Sequence, residues 1–333
     1  MKPVLGITMG DAAGIGPELI LKAFRTGVLY DVCRPLVIGS LAVMERYRGL
    51  CESALRFRPV RDPSQAEYRP GILDILDLGL IDAAKLQIGV VAAEPGNAAV
   101  VYTQEAGRLA MEGAIEAIVS APLNKEAMRL AGHRYEGQTE ILGELTGAKR
   151  YGMILILGSL RVMMLTTHMA LRKACDAVTK EKVLEMIELA DQTLRGFGIR
   201  EPRIGVAGLN PHAGEGGLFG TEEVNGSMPA VQEAVRKGIR AIGPVPADVV
   251  FVKAKEGAYD LVLAMYHDQA NMAAKLLGFG EVTTVLAGLP IIRTSVGHGT
   301  AFDIAGKNIA KEDNFVRAVQ AAADLALLKR KGR

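Results

Sequence analysis

The chain has 333 residues, beyond the usual size of one domain, and with 49% hydrophobic and 23% charged residues it reads as two globular domains. Its charges nearly cancel, 39 Lys and Arg against 37 Asp and Glu, and the one basic run is the tail at 329–333, which argues against a nucleic-acid partner. The scattered Cys33, Cys51 and Cys175 exclude a disulfide framework and suit a cytoplasmic protein, while the absence of a signal-type or membrane-spanning apolar run argues against a membrane.

Short apolar runs alternate with longer amphipathic ones. PVLGIT (3–8) reads as a strand and PELILKAFRTG (17–27) as a helix with Pro17 in its first turn. PLVIGS (35–40) reads as a strand and LAVMERYRGL as a helix. Residues 97–113 are helical, and AIVSAP (117–122) is again a strand. This rhythm predicts a largely parallel sheet with helices on both faces. MILIL-GS-LRVMMLTTH (153–168) is two β-rich runs joined by Gly-Ser, so a hairpin adds an antiparallel element. A helix over 179–195, strand 203–209, helix 222–238, strand 260–266, a helix near 271–277 and a closing helix over 313–329 follow.

Three histidines stand just beyond three of these strands: His168 in LTTHMA, His212 in NPHAGEGG and His267 in AMYHDQ. The carboxyl ends of strands form the ligand crevice of an α/β sheet. Three neutral imidazoles meeting there form an open divalent-metal site, suited to Zn²⁺, Co²⁺, Ni²⁺ or Mn²⁺. Asp248 in GPVPAD is a candidate base, a group behind the metal ligands or a helix cap. Other segments suit an anion. MGDAAGIGPE (9–18) is a Gly-rich strand-to-helix turn, read either as an anion cradle or as a tight turn. Asn124 and Lys125 lie at a strand mouth. Gln138, Thr139, Lys275 and Arg293 are further candidates for a phosphate or carboxylate. GHGTAFDIAGKNIA (297–310) is a polar loop whose Gly297, Gly299 and Gly306 permit close backbone approach to a nucleotide.

Taken together, ITMGDAAGIGPE, SAPLNKEA, NPHAGEGGLFGTEE, GPVPAD, AMYHDQ and LPIIRTSVGHGTAFDIAG resemble the 4-hydroxythreonine-4-phosphate dehydrogenase (PdxA) family, within the isocitrate/isopropylmalate dehydrogenase-like superfamily. The resemblance runs over nearly the whole chain. It implies two α/β/α domains around a largely parallel sheet with an antiparallel element and an active-site cleft between the domains. Residues 1–125 with 275–333 would form the cofactor side, and 126–274 the metal, substrate and dimerisation side.

The resemblance also implies NAD as oxidant, held by a loop that includes Gly297, His298, Gly299, Thr300, Asp303 and Asn308. It implies a divalent metal, Zn²⁺ before the others, on His168, His212 and His267. It places the phosphate of a hydroxy-acid substrate near Gln138, Thr139, Lys275, Thr284 and Arg293. Asp248 would act as base and Lys125 or Lys275 as proton donor during oxidation and β-decarboxylation. Asp268 and Gln269 would orient the imidazole or the nicotinamide. A homodimer sharing its site between subunits is implied as well. The chain departs from the family pattern at Gln138, where His is usual, and at Thr284, where Asn is usual. Ala270 stands for a Gly, and Gly297 for an Asp as in dihydrodiol-dicarboxylate dehydrogenases. The substrate readings are therefore 4-hydroxythreonine 4-phosphate, a D-threonate or D-erythronate 4-phosphate, or a non-phosphorylated dihydrodiol dicarboxylate. A metal-dependent hydrolase and a catalytically silent binding protein are the remaining alternatives.

Overall fold

The computed structural model describes residues 1–278 and 280–331. The chain divides into two compact units. Unit 1 comprises Met1–Lys149 with Leu289–Leu327, and unit 2 comprises Arg150–Gly288 with the chain from Leu328 onward. Unit 1 first supplies strands β1 (Val4–Thr8), β2 (Arg34–Gly39), β3 (Arg56–Val60), β4 (Ile72–Asp77) and β5 (Ala117–Ser120). Unit 2 supplies β6 (Gly152–Leu157), β7 (Leu160–Met164), β8 (Arg203–Ala207), β9 (Arg240–Val245), β10 (Leu261–Ala264) and β11 (Thr283–Ala287). Unit 1 closes with β12 (Ile292–Val296).

In unit 1 the strand order is β3-β4-β2-β1-β5-β12, and every pairing is parallel. The order reverses at β1 and β5, so their carboxyl ends flank a topological switch point, where ligands bind in sheets of this kind. β1 is buried along its whole length, which is why VLGIT is a continuous apolar run rather than an alternating one. Helix Gly16–Arg25 carries Pro17 in its first turn, an acidic Glu18 early and basic Lys22 and Arg25 late, each favourable at that end of the helix dipole. Helix Ala93–Met111 packs on helix Lys125–Leu130. Gly96 makes that approach possible, since a Cβ there would lie 2.2 Å from the Ala127 carbonyl carbon.

In unit 2 the order is β11-β6-β7-β10-β8-β9. β6 runs antiparallel to β11 and β7, whereas β7, β10, β8 and β9 pair in parallel. The antiparallel element is the expected hairpin: Gly158 opens the two-residue turn at φ 57. Leu261 and Leu263 enter one apolar cluster with Ile187 and Leu194 of helix Lys180–Gly196. Val262 and Ala264 enter another with Val250 and Ala254 of helix Ala247–Lys255. Burial on both faces fixes β10 at the centre of the unit and sends its polar continuation, Tyr266–Gln269, out at the carboxyl end.

Candidate functional site

The three histidines follow β7, β10 and β8, which are adjacent in that order in unit 2. Thr166 joins the first two strand ends by donating its hydroxyl to the Met265 carbonyl at 2.9 Å. Gln269 joins the second and third: its Oε1 accepts from Met265 N at 2.7 Å and its Nε2 donates to the Gly208 carbonyl at 2.9 Å. Gln269 is thus a brace between strands. Asp268 does orient an imidazole, with Oδ1 2.9 Å from Nδ1 of His267.

His168 and His267 lie side by side, ring centroids 5.7 Å apart. His212 has its Nδ1 3.3 Å from Glu215 Oε2 and its ring edge-on to Phe219. Among the described residues no three His, Cys, Asp or Glu side chains are grouped as a metal site. The donor set nevertheless suits a divalent ion of the zinc type: two neighbouring imidazoles, one with its second nitrogen engaged by a carboxylate, and a third imidazole on the adjoining strand end. His267 opens helix His267–Leu277, which therefore begins four residues before the expected 271. Asp248 is exposed in the first turn of helix Ala247–Lys255, and that helix packs on the turn carrying His212. Lys275 is exposed in the last turn of helix His267–Leu277, and Thr284 is buried on β11.

In unit 1, Arg293, Gln138 and Ser120 form one buried group. Arg293 on β12 donates from Nε to Ser120 Oγ at 3.0 Å and from Nη2 to Gln138 Oε1 at 2.7 Å. Gln138 Nε2 donates onward to the Ala121 carbonyl at 2.9 Å. Arg293 is 5% exposed and Gln138 7%. Desolvation pushes the guanidinium down to about 10, opposed by the Glu140 carboxylate. It therefore stays charged at neutral pH, although its two bonded partners are neutral. Ser120 ends β5 and had no mark in the sequence beyond that position. Thr139 follows Gln138 in the first turn of helix Gln138–Thr146. Lys125 begins helix Lys125–Leu130, capped by the Asn124 side chain on Ala127 N at 2.8 Å. The Lys125 stem runs beside Gly137, where a Cβ would lie 3.9 Å from its Cε.

In the turn after β1, four amides bond within the protein: Asp11 N to Pro122 O, Ala13 N to Asp11 Oδ1, Gly14 N to Asp11 O and Ile15 N to Thr300 O. The residue missed there is Asp11, which is fully buried beside the switch point. Burial pushes its carboxyl up to about 6, against the lowering effect of the Ala13 amide, and Oδ2 has no hydrogen-bond partner among the described residues. The same turn anchors the 297–308 loop through Thr300, and Glu18 accepts from Ala310 N at 2.7 Å just beyond it. Between those anchors Asp303 and Asn308 are exposed, as are Gly297, His298 and Gly299 before them; Thr300 is buried.

Residues 31–322 match the family model described as "Pyridoxal phosphate biosynthetic protein PdxA". The D-threonate 4-phosphate dehydrogenase of Cupriavidus necator is 46% identical over 325 residues, covering 97% of this chain and 97% of that protein. The enzyme of the same name from Pectobacterium atrosepticum is 44% identical over 327 residues, covering 98% of this chain and 100% of that one. A crystal structure of 4-hydroxythreonine-4-phosphate dehydrogenase from Klebsiella pneumoniae superposes with a TM-score of 0.93 at 43% identity, over 98% of each chain.

Proposed function

This chain belongs to the PdxA family, and from that membership we propose that it is an NAD-dependent, metal-dependent dehydrogenase of a 4-phosphorylated hydroxy acid. D-threonate 4-phosphate is the preferred substrate on the strength of relatives matched from end to end, with 4-hydroxythreonine 4-phosphate the second. The observation that carries the reading is Arg293. A guanidinium held by two neutral groups, Ser120 and Gln138, keeps a full charge in a buried place, and a substrate anion supplies the counter-charge. Both relatives and the crystal structure carry a 4-phosphate in the names of their substrates.

His168, His212 and His267 would hold the metal, which when bound would acidify a substrate hydroxyl, and the 297–308 loop would hold NAD, which would supply the hydride acceptor. Arg293 and Gln138 bind the phosphate, with Thr139, Lys275 and Thr284 as further contacts. Asp248 takes the hydroxyl proton as hydride leaves the same carbon. Oxidation at C3 of D-threonate 4-phosphate places a ketone β to the carboxylate. The C–C bond then breaks, CO₂ departs, and the resulting enol takes a proton at carbon from Lys125 or Lys275. The working form is a homodimer in a reducing cytoplasm. Leu218, Phe219, Met272 and Leu276 leave unit 2 with exposed apolar side chains for a second copy to cover.

The test is NADH formation from D-threonate 4-phosphate, 4-hydroxythreonine 4-phosphate and their unphosphorylated parents, with Zn²⁺ or Co²⁺ added. Turnover is expected with the phosphorylated acids. Arg293→Lys, a point charge that cannot serve Ser120, Gln138 and an anion together, should raise KM about tenfold or more and alter kcat less. Equal turnover of unphosphorylated acids, or of a dihydrodiol dicarboxylate, would overturn the reading.

A further inference from the structure

The turn that carries His212 is left-handed. His212, Ala213, Gly214, Glu215 and Gly216 follow one another at φ 54, 55, 80, 45 and 68. Three of the five are not glycine, and each L-residue in this region costs roughly 1–2 kcal/mol. Ala213 has no polar side chain to offset it. Such a run persists only where its surroundings over-determine it.

Glu223 is the group that does so. It is 1% exposed, and three N–H donors converge on its carboxyl. Oε1 accepts from Leu209 N at 2.7 Å and Asn210 N at 2.8 Å, the amides just ahead of the turn. Oε2 accepts from Asn210 Nδ2 at 2.8 Å, and Glu222 Oε2 takes the same amide group at 2.8 Å. The carboxyl also lies directly against the turn, because a Cβ on Gly214 would come 2.7 Å from Oε2. Glu223 opens a five-residue π-helix, Glu223–Ser227, a rare geometry that often marks a functional position. Gly226 lets that element close on Val178, whose carbonyl oxygen would be 2.3 Å from a Cβ there. The segment is thus built to seat one carboxyl under the His212 turn.

We propose that Glu223 is a positioning residue. Its carboxyl fixes the backbone at Leu209 and Asn210 so that the left-handed turn forms and presents His212 to the metal. This rests on the reading that His168, His212 and His267 hold that metal. Glu223 acts on the turn's backbone and so through His212. Replacing it by Gln puts an NH₂ where Asn210 already donates, and the clamp opens without a change in side-chain size.

Full-length protein stripped of metal is titrated with Co²⁺ and followed by its visible ligand-field bands, beside His212→Ala, Glu223→Gln and Glu223→Asp. His212→Ala should bind much more weakly than the parent. Glu223→Gln should keep its far-ultraviolet dichroism but bind Co²⁺ about 10- to 100-fold more weakly, with altered band intensities. Glu223→Asp, which keeps both oxygens, should recover part of the loss. Parent-like binding by His212→Ala would overturn the metal reading itself. Weak binding by His212→Ala with parent-like affinity and bands in Glu223→Gln would overturn the positioning role alone. Should Glu223→Gln not fold, Asn210→Ala decides: weaker Co²⁺ binding supports the clamp, and parent affinity overturns it.

Discussion

Asp11 loses its hydration on folding and gains one amide, from Ala13, in return. Its carboxyl titrates near 6 in the folded chain against an ordinary 3.8. Between those values the native state binds more protons than the unfolded one, so stability falls as pH rises through the window and stays reduced at neutral pH. The difference corresponds to something on the order of 3 kcal/mol. Asp11→Asn keeps the acceptor for Ala13 and carries no charge. Urea unfolding should therefore find the variant more stable than the parent at pH 7.5, with the gap closing toward pH 4. A less stable variant at pH 7.5 would show that the ionised carboxylate has a partner in the folded protein. A carboxyl retained at such a penalty beside the switch point fits the common trade of stability for function. The sequence offered Asp11 only as one letter of a Gly-rich turn, because desolvation is a property of the packed unit. Arg293 and Gln138 were legible as an unusual cation and amide, whereas Ser120 became visible only when β12 paired with β5. Glu223 was illegible because two of its three donors are backbone amides, which leave no pattern in side-chain types.

At the scale of elements, β1, β2, β5, β6, β7, β8, β10 and the long amphipathic helices were readable as apolar or amphipathic runs. β4, β9, β11 and β12 were not read as strands, although β11 is buried throughout. β3, RFRPV, was also unread: most of it is exposed or half-buried, so no period of two appears. The 222–238 helix was placed correctly but opens as a π-helix, a distinction that depends on hydrogen-bond register rather than on composition. Close contacts between helices depend on single glycines in the same hidden way. Gly96 is the clearest, seated in helix Ala93–Met111 against the Ala127 backbone. Gly96→Ala raises helix propensity by about 1 kcal/mol yet forces a Cβ into a carbonyl carbon at 2.2 Å. Overpacking against backbone should win, with a net destabilisation of about 1–3 kcal/mol in urea unfolding. Because the displaced helix starts at Lys125, the variant should also lose turnover with the phosphorylated acid. A variant as stable as the parent would show that the two helices can separate without consequence.

The whole molecule consists of two units between which the chain passes three times, at 149–150, 288–289 and 327–328. The βαβ rhythm announces the α/β class, but no linker composition marks these crossings. One of them ends at Gly288 at φ 86, where a Cβ would meet the Arg150 carbonyl oxygen at 2.2 Å. The proposed metal ligands all belong to unit 2, and Arg293, Gln138 and the 297–308 loop all belong to unit 1. Metal removal therefore separates two contributions. Chelation should abolish NADH formation entirely, since the hydroxyl is then no longer acidified. The proposed binding of NAD by the unit 1 loop draws on none of the three histidines and should survive, seen as a rise in melting temperature when NAD is added to the apo protein. Readdition of Zn²⁺ or Co²⁺ should restore turnover and stabilise the protein by about 2.7 kcal/mol at a hundredfold excess over Kd. Turnover that persists after exhaustive chelation would remove the metal from the mechanism and leave His168, His212 and His267 in need of another role.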